Sequence, residues 1–242
     1  MLTATLLASP ATADAVDDYY AGAEGLSGSA LKDELHDIVS DQTTLTYAQV
    51  WDALKVTDQD PSSSANVTLL YSGTSRSKSA NGGSVGQWNR EHVWPQSHGS
   101  FGTSVGPGTD LHHLRPEDVQ VNGTRGNKDF DEGGSAVSGC SGCLSDGDSF
   151  EPRDAVKGDV ARMVMYMAVR YEGGDGFADL EANDRVNGST PYVGRISVLL
   201  DWHAQDPPST AERRRNDLIF SDYQGNRNPF IDHPEWAESV FG

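Results

Sequence analysis

A mixed α+β fold, with a mostly helical frame around one strand–loop–strand–helix unit, follows from three observations. Apolar residues recur at helical spacing in the first sixty residues and again after residue 157. Between them, residues 87–94 and 110–114 read as two short strands, and Pro116-Glu117-Asp118 reads as a helix start, with proline at the first position and acids at its positive end. The 26 Gly and 11 Pro place much of the remainder in loops. The chain has 242 residues, enough for one domain with a proper core.

Residues 1–15 look like the end of a secretory signal peptide: the apolar stretch is short, and Ala11-Thr12-Ala13 suits cleavage before Asp14. The usual basic start is missing, so residues 1–13 are expected to be a truncated signal remnant. Residues 14–242 are expected to form a single domain. In the region 14–60, Leu31, Leu35, Ile38 and Val39 fall near one helix face. A second helix is expected after Thr46, with Val50, Trp51 and Leu54 inward. Residues 66–71 include Val67-Thr68-Leu69-Leu70-Tyr71, a short strand, and residues 72–86 are a Ser/Gly-rich loop.

Residues 95–108 form a Gly-rich loop between the two strands, and residues 130–150 an irregular excursion. Asp146-Gly147-Asp148 within it lacks the full spacing of a calcium loop and reads as a solvated turn. Residues 158–171 give the clearest helix, with Val160, Met163, Val164, Met167 and Ala168 apolar. Helices are also expected at 195–203, 210–220 and 234–241. Arg213-Arg214-Arg215 is the only basic cluster and reads as a solvated helix face. Cys140 and Cys143 are the only cysteines. Export would favour a small disulfide loop, and a zinc site lacks its second pair.

The net charge of −18 argues against a nucleic-acid binder of the usual basic kind. A local basic cleft or a metal ion can still act inside an acidic shell. The charge also suits work in moderate or high salt, where repulsion from a polyanion is screened. Nothing in the sequence is apolar for long enough to span a membrane.

Three runs carry the chemistry: Trp88-Asn89-Arg90-Glu91-His92-Val93-Trp94-Pro95, Asp110-Leu111-His112-His113-Leu114-Arg115-Pro116 and Val121-Asn122-Gly123-Thr124-Arg125-Gly126-Asn127. Phosphodiester hydrolysis needs a nucleophile, neutralised phosphate charge and a stabilised leaving oxygen. A neutral His92 can deprotonate water. Glu91 and Asn122 offer hard oxygens that suit Mg²⁺ with several waters retained. In a regular strand Glu91 and His92 point to opposite faces, so one shared site needs the strand to end or bulge near Pro95. Adjacent His112 and His113 diverge in the same way, and structural roles are expected for them.

Together these runs resemble the bacterial endonuclease I family of secreted or periplasmic nucleases, in the ββα-metal, or His-Me finger, superfamily. The stretches Lys157-Gly158-Asp159-Val160-Ala161-Arg162 and Tyr223-Gln224-Gly225-Asn226-Arg227-Asn228-Pro229-Phe230 resemble it too, and the similarity runs from about residue 18 to the end. The resemblance implies a finger at about residues 86–128. It matches His92 to the general base, Glu91 and Asn122 to the metal ligands, and Asn127 to a residue bracing the finger. His113 is expected to support the site from within.

The implied reaction is sequence-nonspecific cleavage of DNA, and often RNA, to 5′-phosphate ends, with one Mg²⁺ stabilising the leaving 3′ oxygen. Mn²⁺ or Ca²⁺ are possible substitutes. The alternatives are an extracellular ribonuclease with the same site and a non-catalytic acidic binding module. The motifs do not fix the arginine that meets the scissile phosphate. Arg115 and Arg162 are the catalytic candidates; Arg125, Asn226 and Arg227 are candidates for holding the nucleic acid. Arg162 lies within helical reach of Asp159 and equally suits a buried ion pair. The protein is expected to act as a secreted or periplasmic monomer.

Overall fold

The predicted helix faces and turns organise the computed structural model, which describes residues 13–188 and 190–242. The signal-like segment falls almost wholly outside the described residues. The chain runs α1 (Ala13–Tyr19), α2 (Gly28–Ser40), α3 (Tyr47–Thr57), β1 (Asn66–Thr68), β2 (Ser75–Ser77), β3 (Trp88–His92), β4 (Leu114–Asp118) and α4 (Val119–Arg125). It continues with β5 (Asp129–Phe130), β6 (Ser135–Ala136), β7 (Leu144–Ser145), β8 (Ser149–Glu151) and α5 (Lys157–Arg170). Then come β9 (Glu181–Ala182), β10 (Tyr192–Val193), α6 (Ile196–Gln205), α7 (Thr210–Leu218), α8 (Pro229–Asp232) and α9 (Trp236–Phe241). The class is α+β, as the sequence predicts.

Helix α5 is the axis of the frame. Every residue in it except Asp159 is buried, because its sequence is apolar or small on nearly all sides. It packs chiefly on α6 and α2. The expected face of α2 is inward at Leu31, Leu35 and Val39. Helix α3 begins where Thr46 and Gln49 form a reciprocal capping box, which satisfies two otherwise free backbone N–H groups.

Two apolar clusters result. The larger joins α2, α5 and α6 with Trp94 and Trp202, and the smaller joins α3 with Trp88, Leu111, Leu114 and Ile219. The antiparallel pair β3–β4 lies between them, with Trp88 and Leu114 in the smaller cluster and Val93 and Trp94 in the larger.

Several local expectations are corrected: the strand expected over 66–71 ends at Thr68, and the loop expected at 72–86 contains β2. Residues 111–113 are turn, Asp110 is outside any strand, and the strand starts at Leu114. Asp110 accepts a hydrogen bond from the His112 amide at 2.9 Å, and its carbonyl accepts the Leu114 amide at 3.1 Å. This local closure competes with extended pairing. Pro116 then sits inside β4 rather than opening a helix. Its carbonyl accepts the Leu70 amide, so its own nitrogen also faces that side and no bond to β3 is lost. Asp118 is the actual cap, taking the Gln120 and Val121 amides at 2.8 and 3.1 Å. The excursion expected at 130–150 contains strands of a small sheet ordered β5-β8-β7-β6, and Cys140 and Cys143 are joined there by a disulfide.

Candidate active site

Alternation along β3 divides its side chains into two sets. Asn89 and Glu91 face α4; Arg90 and His92 face α3 and the loop after β3. Asn122 Nδ2 donates to Asn89 Oδ1 at 2.8 Å. One turn later on the same helix face, Arg125 Nη1 meets Glu91 Oε1 at 3.2 Å and donates to the His92 carbonyl at 2.8 Å, while Nη2 donates to the Val93 carbonyl. A single guanidinium therefore ties the helix to the end of the strand.

Glu91 is 2% exposed. Its Oε1 takes both the Arg125 bond and the Tyr71 hydroxyl at 2.8 Å, and no side chain among the described residues donates to Oε2. Asn122 uses its amide nitrogen on Asn89, and nothing among the described residues donates to its Oδ1. Burial pushes the Glu91 carboxyl up to about 7 against the pull of Arg125 and Tyr71. Glu117, across the strand pair from Asn89, is also pushed up to about 7 by burial and accepts the Tyr71 and Asp118 amides. Tyr71 thus bridges two buried carboxyl groups, one through its hydroxyl and one through its backbone.

His92 is 6% exposed and its Nε2 lies 3.1 Å from the Gly108 carbonyl. A carbonyl can only accept, so the neutral ring carries its proton on Nε2 and keeps the lone pair on Nδ1. Burial, then the neighbouring His113 and the positive Arg90 and Arg125, hold the imidazole down to about 3. It is neutral throughout the physiological range. The Gln96 amide nitrogen covers the ring, 3.1 Å from Nδ1 and 3.2 Å from Nε2. The Tyr47 ring lies 5.9 Å away, centre to centre.

His113 is fully buried. It accepts the Trp94 amide on Nδ1 at 3.3 Å and donates from Nε2 to the Pro107 carbonyl at 2.7 Å. That fastens the strand end to the Gly-rich loop presenting Gly108. His112 meets the Asn226 carbonyl and amide oxygen, both at 3.2 Å.

The other predicted residues are placed as follows. Arg162 is 0% exposed and grips Glu212 with two bonds, at 2.8 and 2.7 Å. Arg227 is spent on Asp232 and Asp217. Asn226 donates to the Val39 carbonyl and the Tyr166 hydroxyl inside the frame. Asn127 is exposed, and it braces only through its carbonyl, which faces His98 Nε2 at 2.9 Å. Arg115 pairs with Asp58, and its Nη1 has no hydrogen-bond partner. None of these side chains hydrogen-bonds to His92, Glu91 or Asn122; of the predicted arginines only Arg125 does, to the Glu91 carboxylate and the His92 carbonyl.

The structure adds residues to those read from sequence. Arg90, on the His92 side of β3, stacks on Tyr47 and Trp51, and its buried Nε has no partner. Its position two before His92 on a strand was the available signal. Tyr71 and Glu117 gave no such signal, because their contacts span 20 and 46 positions; Gln96 is four residues from His92, but only the turn after β3 folds it back onto the ring.

The sequence model of the endonuclease I family matches residues 27–235. The chain is 64% identical over 226 residues to an extracellular ribonuclease of Bacillus amyloliquefaciens, covering 93% of this chain and 78% of that protein. It is 62% identical over 237 residues to an extracellular ribonuclease of Bacillus subtilis (strain 168), covering 97% and 82% respectively.

Proposed function

We propose a substrate and a mechanism for this chain, which belongs to the endonuclease I family and is a nuclease: it is an exported enzyme that hydrolyses RNA without sequence preference, using water activated by His92. The names of its relatives support RNA and export over the DNA-first reading. DNA remains a second substrate on chemical grounds, because attack by water does not use the 2′-hydroxyl.

The observation that carries the mechanism is the Gly108 carbonyl on His92 Nε2. It leaves Nδ1 as the ring nitrogen able to take a proton from water. An incoming phosphodiester adds negative charge beside the ring and favours its protonated form, so proton uptake is easiest with substrate in place. Gln96 must move from Nδ1 for the water to enter. Attack on phosphorus then releases the 3′ oxygen and leaves a 5′-phosphate.

Glu91 Oε2 and Asn122 Oδ1 are hard oxygens free of side-chain donors among the described residues, a donor pair that fits Mg²⁺ with retained waters, and Mn²⁺ or Ca²⁺ as substitutes. Bound there, the cation would supply charge neutralisation for the phosphate and the leaving oxygen. Arg125 and Tyr71 orient Glu91 for this by occupying its other oxygen.

End analysis of cleaved RNA is the test. The mechanism requires 5′-phosphate and 3′-hydroxyl ends, loss of cleavage in EDTA, and about 10²–10⁴-fold loss in His92→Ala with the fold retained. Cyclic 2′,3′-phosphate ends would overturn it.

A further inference from the structure

A cavity of about 660 Å³ opens beside β4, α5 and α7 and shares no lining residue with His92, Glu91 or Asn122. Its volume falls in the range of sites that hold small organic ligands. The apolar lining that reaches solvent comes from Pro61, Ala155 and Ala211, with Leu69, Leu70 and Val156 buried behind it. The rest carries four arginines and three carboxylates, a cationic exception in a chain of net charge −18. The basic run at 213–215, read from sequence as a solvated face, contributes two of those arginines, Arg214 and Arg215.

The arginines are not all consumed. Arg115 and Arg215 share one partner, Asp58. Arg115 is 9% exposed, and its Nη1 has no hydrogen bond, only a longer ion pair of 3.6 Å to the Asp159 carboxylate. Arg214 is exposed at the rim. Ser209, Thr210 and Ala211 bring the N-terminus of the nine-residue helix α7 to the same cavity, adding positive dipole to the arginines.

From these features we infer that this cavity is a second, non-catalytic site for a nucleoside monophosphate, with the phosphate between Arg115 and Arg214 and the base against the apolar lining at Pro61 and Ala155. Burial and the Glu212 carboxylate push the Asp159 carboxyl up to about 7, so its opposing charge is readily withdrawn when an anion enters. A nuclease makes ligands of this class, either as free mononucleotides or as the phosphorylated end of a chain. The site goes beyond the proposed hydrolysis and does not depend on it, since binding is read directly.

Calorimetric titration of the whole protein with 5′-AMP, without divalent cation, tests the site. Saturable binding is expected, about tenfold or more weaker for adenosine and for Arg214→Glu. Ala211→Trp, which fills the cavity from an exposed helix position, should abolish it, and His92→Ala should leave it unchanged. A 5′-phosphorylated, uncleavable dinucleotide that binds as well as AMP identifies the chain end as the ligand; weaker binding identifies the free mononucleotide. No binding of AMP up to about 10 mM, or binding that survives both cavity variants, would overturn the inference. So would binding lost only in His92→Ala, which would place AMP at the catalytic histidine.

Discussion

Arg125 and Glu91 form an ion pair of 3.2 Å with side chains only 1% and 2% exposed, and the same guanidinium holds the carbonyls of His92 and Val93. The arginine that sequence reasoning offered to nucleic acid is closed off by protein acceptors. Its position fixes the end of β3, from which the Glu91 and His92 side chains project.

Arg125→Leu should therefore act first on stability. Removing one partner of a buried pair leaves an uncompensated group and costs about 3–5 kcal/mol. Urea unfolding would show a lower midpoint. A midpoint equal to the parent's would mean that the clamp contributes nothing.

Glu91→Gln keeps the shape and the Tyr71 contact but removes a carboxylate oxygen from the candidate cation site. Activity should fall, and the Mg²⁺ concentration giving half-maximal rate should rise by at least the roughly 10–100-fold typical of supporting residues. Asn122→Ala should move the same parameter the same way. Unchanged metal dependence in both variants would remove these residues from the metal's coordination.

Asp58 sets an acid limit on stability. Burial raises its pKa, but Arg215 and Arg115 more than offset this and hold the carboxyl below its usual value. A group depressed on folding contributes fully above its unfolded value, about 3.9, and loses that contribution as pH falls through the folded value. Asp58→Asn should cost about 3–5 kcal/mol at neutral pH, and its deficit should shrink below about pH 4. Chemical unfolding at a series of pH values measures the gap; a gap independent of pH would contradict the assignment.

The net charge of −18 repels a polyanionic substrate at long range. Screening shortens that repulsion to about 10 Å at 0.1 M salt. Cleavage rates should rise from zero added salt to an optimum well above it. A steady decline from the lowest salt onward would show that attraction at the site governs association instead.

Much of the frame was legible in the chain. The faces of α2, α3 and α5 follow from apolar spacing, and the α3 start follows from Thr46 and Gln49, because helix periodicity and capping are local. The second strand was misplaced because Asp110 closes a turn with His112, a side-chain bond that apolar patterning does not report. Pro116 misled for a related reason: proline fits a strand whose nitrogen faces away from its partner, and that depends on the neighbouring Leu70 segment.

By itself the sequence determined the class, the order strand–strand–helix, and the opposition of Glu91 and His92 across β3, since alternation is a property of any strand. Only the tertiary structure decided how each arginine is used. Arg125, Arg162 and Arg227 have acceptors supplied by residues 5 to 50 positions away, and Arg115 keeps one nitrogen without a hydrogen-bond partner. A guanidinium carries the same charge and donors wherever it stands in a sequence. What it binds is fixed by which carboxylates and carbonyls folding brings within hydrogen-bond reach, and by how much water is excluded around them.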